Sequence, residues 1–123
     1  MKGKVAIVAS ALLVAVTGSA LAGSDSTGVF RVGGVDIEGT LGTSGDYAYA
    51  NTYVVESGVV DYLSVDVSWK DRNNRSLGNA PKSAKRSGSV SSDLYASNGY
   101  YATGYHQATH KGETKHSSTK VYR

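Results

Sequence analysis

Past residue 22 this chain repeats apolar and polar residues with a period of two, and that period constrains its fold more than any other feature. Leu63, Val65, Val67 and Trp69 alternate with Tyr62, Ser64, Asp66 and Ser68. Successive side chains of a strand point to opposite faces, so such a segment buries one face and wets the other. Val35, Ile37 and Leu41 alternate with Asp36, Glu38 and Thr40, with Gly39 placed for a bulge. Tyr47, Tyr49, Asn51 and Tyr53 share one face, opposite Ala48, Ala50 and Thr52. Residues 87–95 read as a weaker strand, 100–110 alternate again, and 114–122 form a last strand. Turn chemistry separates them at 42–46, at 71–75, at Asn98-Gly99 and at Lys111-Gly112. No segment carries a long apolar stripe at helical spacing. The pattern predicts an all-β chain: a small antiparallel β-sandwich or barrel of six to eight short strands.

The first 22 residues follow another rule. Lys2 and Lys4 precede an apolar run from Val5 to Val16, and Ala20-Leu21-Ala22 ends the segment with small residues at alternate positions. A basic start, a short apolar stretch and a small-x-small end are the three parts of a secretory signal peptide, with cleavage predicted after Ala22. A permanent membrane helix needs about 20 apolar residues, more than this run supplies. Ser24 stands where a lipobox requires Cys, and no second apolar stretch or sorting motif follows. The expectation is a 1–22 signal peptide and a single secreted β-rich domain over 23–123, released or held non-covalently at the cell surface. Export without any cysteine favours a bacterial source.

Loss of the leader leaves eleven Lys and Arg against ten Asp and Glu, a net charge of +1. Val, Ile, Leu and Phe are scarce in the domain, so tyrosine and Trp69 must supply much of its buried area. Charge is unevenly placed. Residues 23–66 carry −6 and residues 67–123 carry +7, an asymmetry that allows self-association between copies.

Without Cys there is no disulfide, thiolate metal site or thiol nucleophile. His106, His110 and His116 are the only histidines. A three-residue turn before 114 would set His116 opposite Ala108 and put all three rings on one face. His106 and His110 then stand about 13 Å apart along their strand, too far to share one zinc. These histidines are read as structural or as weak metal ligands, with His106 a hydrogen-bonded core residue in the small-residue register Ala102, Gly104, His106. Ser117-Ser118-Thr119-Lys120 matches S-x-x-K without the companion motifs of penicillin-binding enzymes. Asp36 and Glu38 share a strand face with nothing placed across a cleft from them. Asp71-x-Asn73 opens like a calcium loop but has Ser76 at the sixth position.

Two candidate binding surfaces remain. Lys70, Arg72, Arg75, Lys82, Lys85 and Arg86 give residues 70–86 a local charge of +5, and 76–87 read as a basic surface loop. An anionic cell-envelope component is the natural partner. The absence of a basic–aromatic strand motif disfavours nucleic acid. Tyr47, Tyr49 and Tyr53, with Tyr100, Tyr101 and Tyr105, either fill the core or form a platform for sugars or proteins.

No assembled catalytic set and no cofactor motif is present. The function expected is an exported, non-enzymatic β-domain that binds a protein or envelope component. A second expectation comes from a resemblance. Gly104-Tyr105-His106 through Lys115-His116-Ser117-Ser118-Thr119 is similar to the Tyr-His…His-Ser-Ala-Thr stretch of lactococcin-like bacteriocins, over less than a fifth of the mature chain. The Trp-rich beginning of that group is missing, since Trp69 is the only Trp. The resemblance implies a small secreted antimicrobial protein.

Overall fold

The computed structural model describes residues 23–123; the expected signal peptide and its cleavage site lie outside the described residues. Eight strands account for about three quarters of them: β1 (Gly23–Val32), β2 (Val35–Ser44), β3 (Tyr47–Val54), β4 (Val60–Lys70), β5 (Ser76–Ser87), β6 (Ser89–Tyr95), β7 (Tyr101–His110) and β8 (Glu113–Tyr122). They form two antiparallel four-stranded sheets, β1-β2-β3-β6 and β5-β4-β7-β8, packed face to face as a sandwich. The chain passes from the second sheet to the first at the single residue Gly88, between β5 and β6. At the other edge, β1 and β8 are tied by side-chain acceptors: Lys120 N–H donates to Asp25 Oδ2 (2.9 Å) and Gly33 N–H to Glu113 Oε1 (2.7 Å).

The alternation of β4 decides the core. Leu63, Val65, Val67 and Trp69 all point inward and are at most 1% exposed. A central strand this apolar needs a partner on each side, and residues 76–87 supply one. They are therefore a strand, not the expected loop, paired with β4 from Val60 to Lys70. Apart from Lys82, the inward positions of β5 hold small residues, with Gly78 opposite Trp69, Ala80 opposite Val67 and Ala84 opposite Leu63. Small residues leave no hydrophobic periodicity to read.

β5 is also an exposed edge. Pro81 removes a backbone donor, and Lys82, opposite Val65, puts a charge on the inward register of that edge. Both devices block pairing with another chain. Replacing Pro81 and Lys82 together with Val should produce concentration-dependent self-association beyond that of the parent protein in light scattering. An unchanged mass across the same concentrations would refute the assignment.

Two other expectations shift. Strand β2 continues through Ser44, so only Gly45 and Asp46 remain of the 42–46 turn. The bulge lies opposite Gly39, but its extra residue belongs to β1, between Ser26 and Val29.

The β7–β8 turn holds two residues, not three. Lys111 (φ 50°) and Gly112 (φ 79°) both adopt left-handed backbone, the geometry of a tight type I′ hairpin. His110 therefore pairs with Glu113 and His116 with Gln107. A one-residue change of register moves a side chain to the opposite face, and His116 accordingly lies outside.

The interior has two apolar clusters. One surrounds Trp69 with Leu41, Ala48, Ala50, Val67, Ala102 and Val121. The other contains Val32, Ile37, Val54, Val60, Leu63 and Ala108. Between them, on the inward register of β3, β7 and β8, sit Thr52, His106 and Thr119, all buried.

Candidate functional site

One end of the sandwich is built from the β2–β3 turn, the 71–75 turn, the 96–100 loop and the end of β8. Backbone hydrogen bonds lock these together: Ala96 N–H to Asp46 O (2.9 Å), Tyr100 N–H to Lys70 O (2.7 Å) and Arg123 N–H to Tyr100 O (2.8 Å). Asp71 sets the turn at 71–75, since its carboxylate accepts from Asn73 N–H (2.8 Å) and Arg75 N–H (3.0 Å). That oxygen is committed to the turn backbone.

Cross-strand pairing of Tyr101 with Tyr122 places two rings side by side, and Tyr100 joins them. The centroid separations are 5.4 Å for Tyr100–Tyr122, 5.5 Å for Tyr101–Tyr122 and 6.4 Å for Tyr100–Tyr101. Cations sit on these rings. The Arg72 guanidinium lies 4.9 Å from the Tyr100 centroid, and Lys120 Nζ lies 4.3 Å from Tyr101 and 5.1 Å from Tyr122. A hydrogen bond to the Tyr122 side chain raises the Lys120 pKa, so its ammonium is held charged. Tyr101 O–H donates to Asn74 Oδ1, fixing the ring to the turn.

A cleft of about 550 Å³ opens beside this cluster, lined by Arg72, Asn73, Asn98, Tyr100 and Arg123 among others. Arg123 is already paired, with Asp46 (2.5 Å), and also donates to Ser97 O (3.2 Å). Among the described residues, neither the Arg72 guanidinium nor the Lys120 ammonium forms an ion pair.

A second aromatic cluster occupies the same end on the other sheet. Tyr47 stacks on Tyr49 (5.8 Å, 13°) and meets Tyr95 edge-on (5.2 Å). Tyr47 and Tyr95 are exposed. Burial, aided by the nearby Asp93 carboxylate, raises the pKa of Tyr49. Tyr53 is different. It is buried, and its hydroxyl donates to Glu38 Oε1 (2.7 Å), whose other oxygen accepts from Ser26. Burial and that carboxylate push its pKa well above the ordinary phenol value. Tyr53 is thus withdrawn from the surface, and Asp36 is likewise engaged, by Arg31 (2.7 Å).

The six basic residues of 70–86 do not form one surface. Lys70, Arg72 and Arg75 belong to the aromatic end, Lys82 projects from the β5 edge, and Lys85 and Arg86 lie at the far end of β5. Ten residues of extended chain separate Ser76 from Arg86, roughly 30 Å.

The histidines are dispersed as well. His116 is exposed and stacks on Tyr105 (5.0 Å), while His110 Nδ1 accepts from Asp61 N–H (3.3 Å). His106 is fully buried, with Nδ1 2.8 Å from Thr52 Oγ1 and Nε2 2.8 Å from Thr119 Oγ1. The Thr52 hydroxyl donates its proton to Ser64 O (3.0 Å), so Nδ1 must carry the ring proton. Nε2 of a neutral ring is then an acceptor, and the Thr119 hydroxyl donates to it. Burial lowers the His106 pKa to about 4, against smaller opposing contributions from the Asn51 backbone and Asp25. Gly39 and Gly104 leave room for the ring, since a Cβ at Gly39 would lie 2.3 Å from it. Three of the residues that carry the bacteriocin resemblance, Gly104, His106 and Thr119, meet here in the core.

Sequence reasoning singled out Tyr100 and Tyr101 but missed Lys120, Tyr122 and Arg123 as their neighbours. The available signal was the period-two set His116, Ser118, Lys120, Tyr122, which shares one face of β8. Comparison with protein-family models, curated proteins and solved structures gave no significant match.

Proposed function

We propose that this is an exported, non-enzymatic domain that acts by binding at the cell surface or to an extracellular partner, through its aromatic end. One observation carries the reading: three tyrosines in mutual contact hold the Arg72 and Lys120 cations on their ring faces without an ion pair. Exposed rings combine large contact area with little conformational freedom, and fixed cations add directional attraction. Loops at one end of a rigid sandwich are suited to such recognition. Two groups capable of acid–base chemistry are already engaged, His106 sealed in the core and Glu38 held by two hydroxyls, which supports binding over catalysis. The basic leader and apolar run of residues 1–22 support export.

The test is fractionation of cells expressing the full chain. The parent protein should partition onto the envelope, and an Arg72→Ala/Tyr122→Ala variant with unchanged thermal unfolding should partition into the medium. Equal partitioning of the two proteins, or recovery of the parent from cytosol, would overturn the proposal.

A further inference from the structure

We infer that the aromatic end takes an anionic glycopolymer, a chain of sugar or polyol units bearing phosphate or carboxylate groups; the inference rests on the binding reading above. Two cations at this end are fixed in place without a salt bridge of their own. Arg72 and Lys120 are positioned by Tyr100, Tyr101 and Tyr122, and the acids around them have other partners: Asp71 accepts from the turn backbone, Asp25 from Lys120 N–H and Asp46 pairs with Arg123. A ligand with anionic groups supplies the missing partners. Between the cations, Tyr122 is 55% exposed and offers a ring to the C–H face of a sugar. Asn73 and Asn98 line the adjoining cleft with amide donors and acceptors suited to hydroxyls.

Two other polyanions fit less well. A membrane surface would require apolar side chains projecting into the acyl layer, whereas the loops at this end present Arg72, Asn73, Asn74, Ser97 and Asn98. Of the exposed aliphatic residues, Val59 lies in the loop before β4 at the opposite end and Val29 on β1, so that only Leu77, at the start of β5, adjoins this end. Single-stranded nucleic acid is bound by rings spaced along a groove so that successive bases stack. Here the three rings are packed edge to face or tilted into one cluster, with cations over them.

The experiment measures binding of the protein, purified from the medium or envelope of cells expressing the full chain. The probes are poly(glycerol phosphate), polygalacturonate, a neutral glucan, phosphatidylglycerol vesicles and oligo-dT. At least one of the two anionic glycans should bind, with affinity falling steeply as salt rises, and the neutral glucan should not. Arg72→Ala/Lys120→Ala should weaken binding at least about tenfold, whereas the charge-retaining Arg72→Lys/Lys120→Arg variant should keep most of it. Failure of both glycans to bind, tighter binding to vesicles or oligo-dT, or indifference to the alanine pair would overturn the inference. If envelope partitioning still depends on Arg72 and Tyr122 in that event, the ligand assignment alone falls. If partitioning is also lost, the binding reading falls with it.

Discussion

Replacing Trp69 with alanine should lower the free energy of unfolding by about 4 kcal/mol, near the top of the range for large-to-small core substitutions. The indole is fully buried, and its Nε1–H donates to Leu94 O (3.1 Å) across the sandwich. The substitution therefore removes a ring and strands a carbonyl. The surroundings cannot refill the space. Ala48, Ala50, Ala96 and Ala102 are too short to swing inward. Gly99 already presses against the ring, since a Cβ there would lie 2.3 Å from Trp69 Cε3. Domains of this kind have only about 5–15 kcal/mol in total, so urea denaturation should show a sharply lowered midpoint. A loss below about 1 kcal/mol would mean that the cluster around Trp69 is not the main core.

Acidification should weaken the fold through His106. Well above pH 6.5 the ring is neutral in both folded and unfolded chains and contributes no pH dependence. The folded pKa is about 4. Between pH 6.5 and 4 the unfolded chain binds a proton that the native ring refuses, so stability falls as pH falls. The loss reaches about 3 kcal/mol once the pH is below the folded value. Structure explains the refusal: a proton on Nε2 would face the Thr119 hydroxyl proton. That hydroxyl would have to turn toward Gly104 O, 3.5 Å away. Glu113, whose pKa is lowered chiefly by the Gly33 N–H, adds a loss at still lower pH, as its carboxylate takes up a proton. Imidazole nitrogen spectra should show a neutral, Nδ1-protonated His106 at pH 5.5 in the folded protein. A doubly protonated ring at that pH, with the protein still folded, would refute the argument.

How much of this was legible in the sequence depends on whether a residue's place is set locally or by its partners. Strict alternation in β4 and the Ala48, Ala50, Thr52 register of β3 are local, and the sequence displays them. β5 is not local: it is a strand because β4 requires a neighbour, and its inward Gly78, Ala80 and Ala84 carry too little apolar contrast to be noticed. The same limit hid the candidate site. Lys120 and Tyr122 reach Tyr101 only through the β7–β8 register, which one residue in the Lys111-Gly112 turn decides. Conversely, the basic run over 70–86 is contiguous in sequence, yet extended chain carries its two halves to opposite ends of the molecule.

The polar layer formed by Thr52, His106 and Thr119 also acts as a key that fits one lock. Greasy side chains above and below it would tolerate sliding, because one methyl group substitutes for another at little cost. A slip of β7 by two positions would keep inside and outside unchanged, yet carry the imidazole from its niche at Gly39 toward Leu41 or Ile37. Both nitrogens would then face hydrocarbon, at a penalty that no repacking of valines could recover. In a domain whose interior is otherwise mostly apolar side chains, this one imidazole makes a single alignment of the strands far more favourable than its near neighbours.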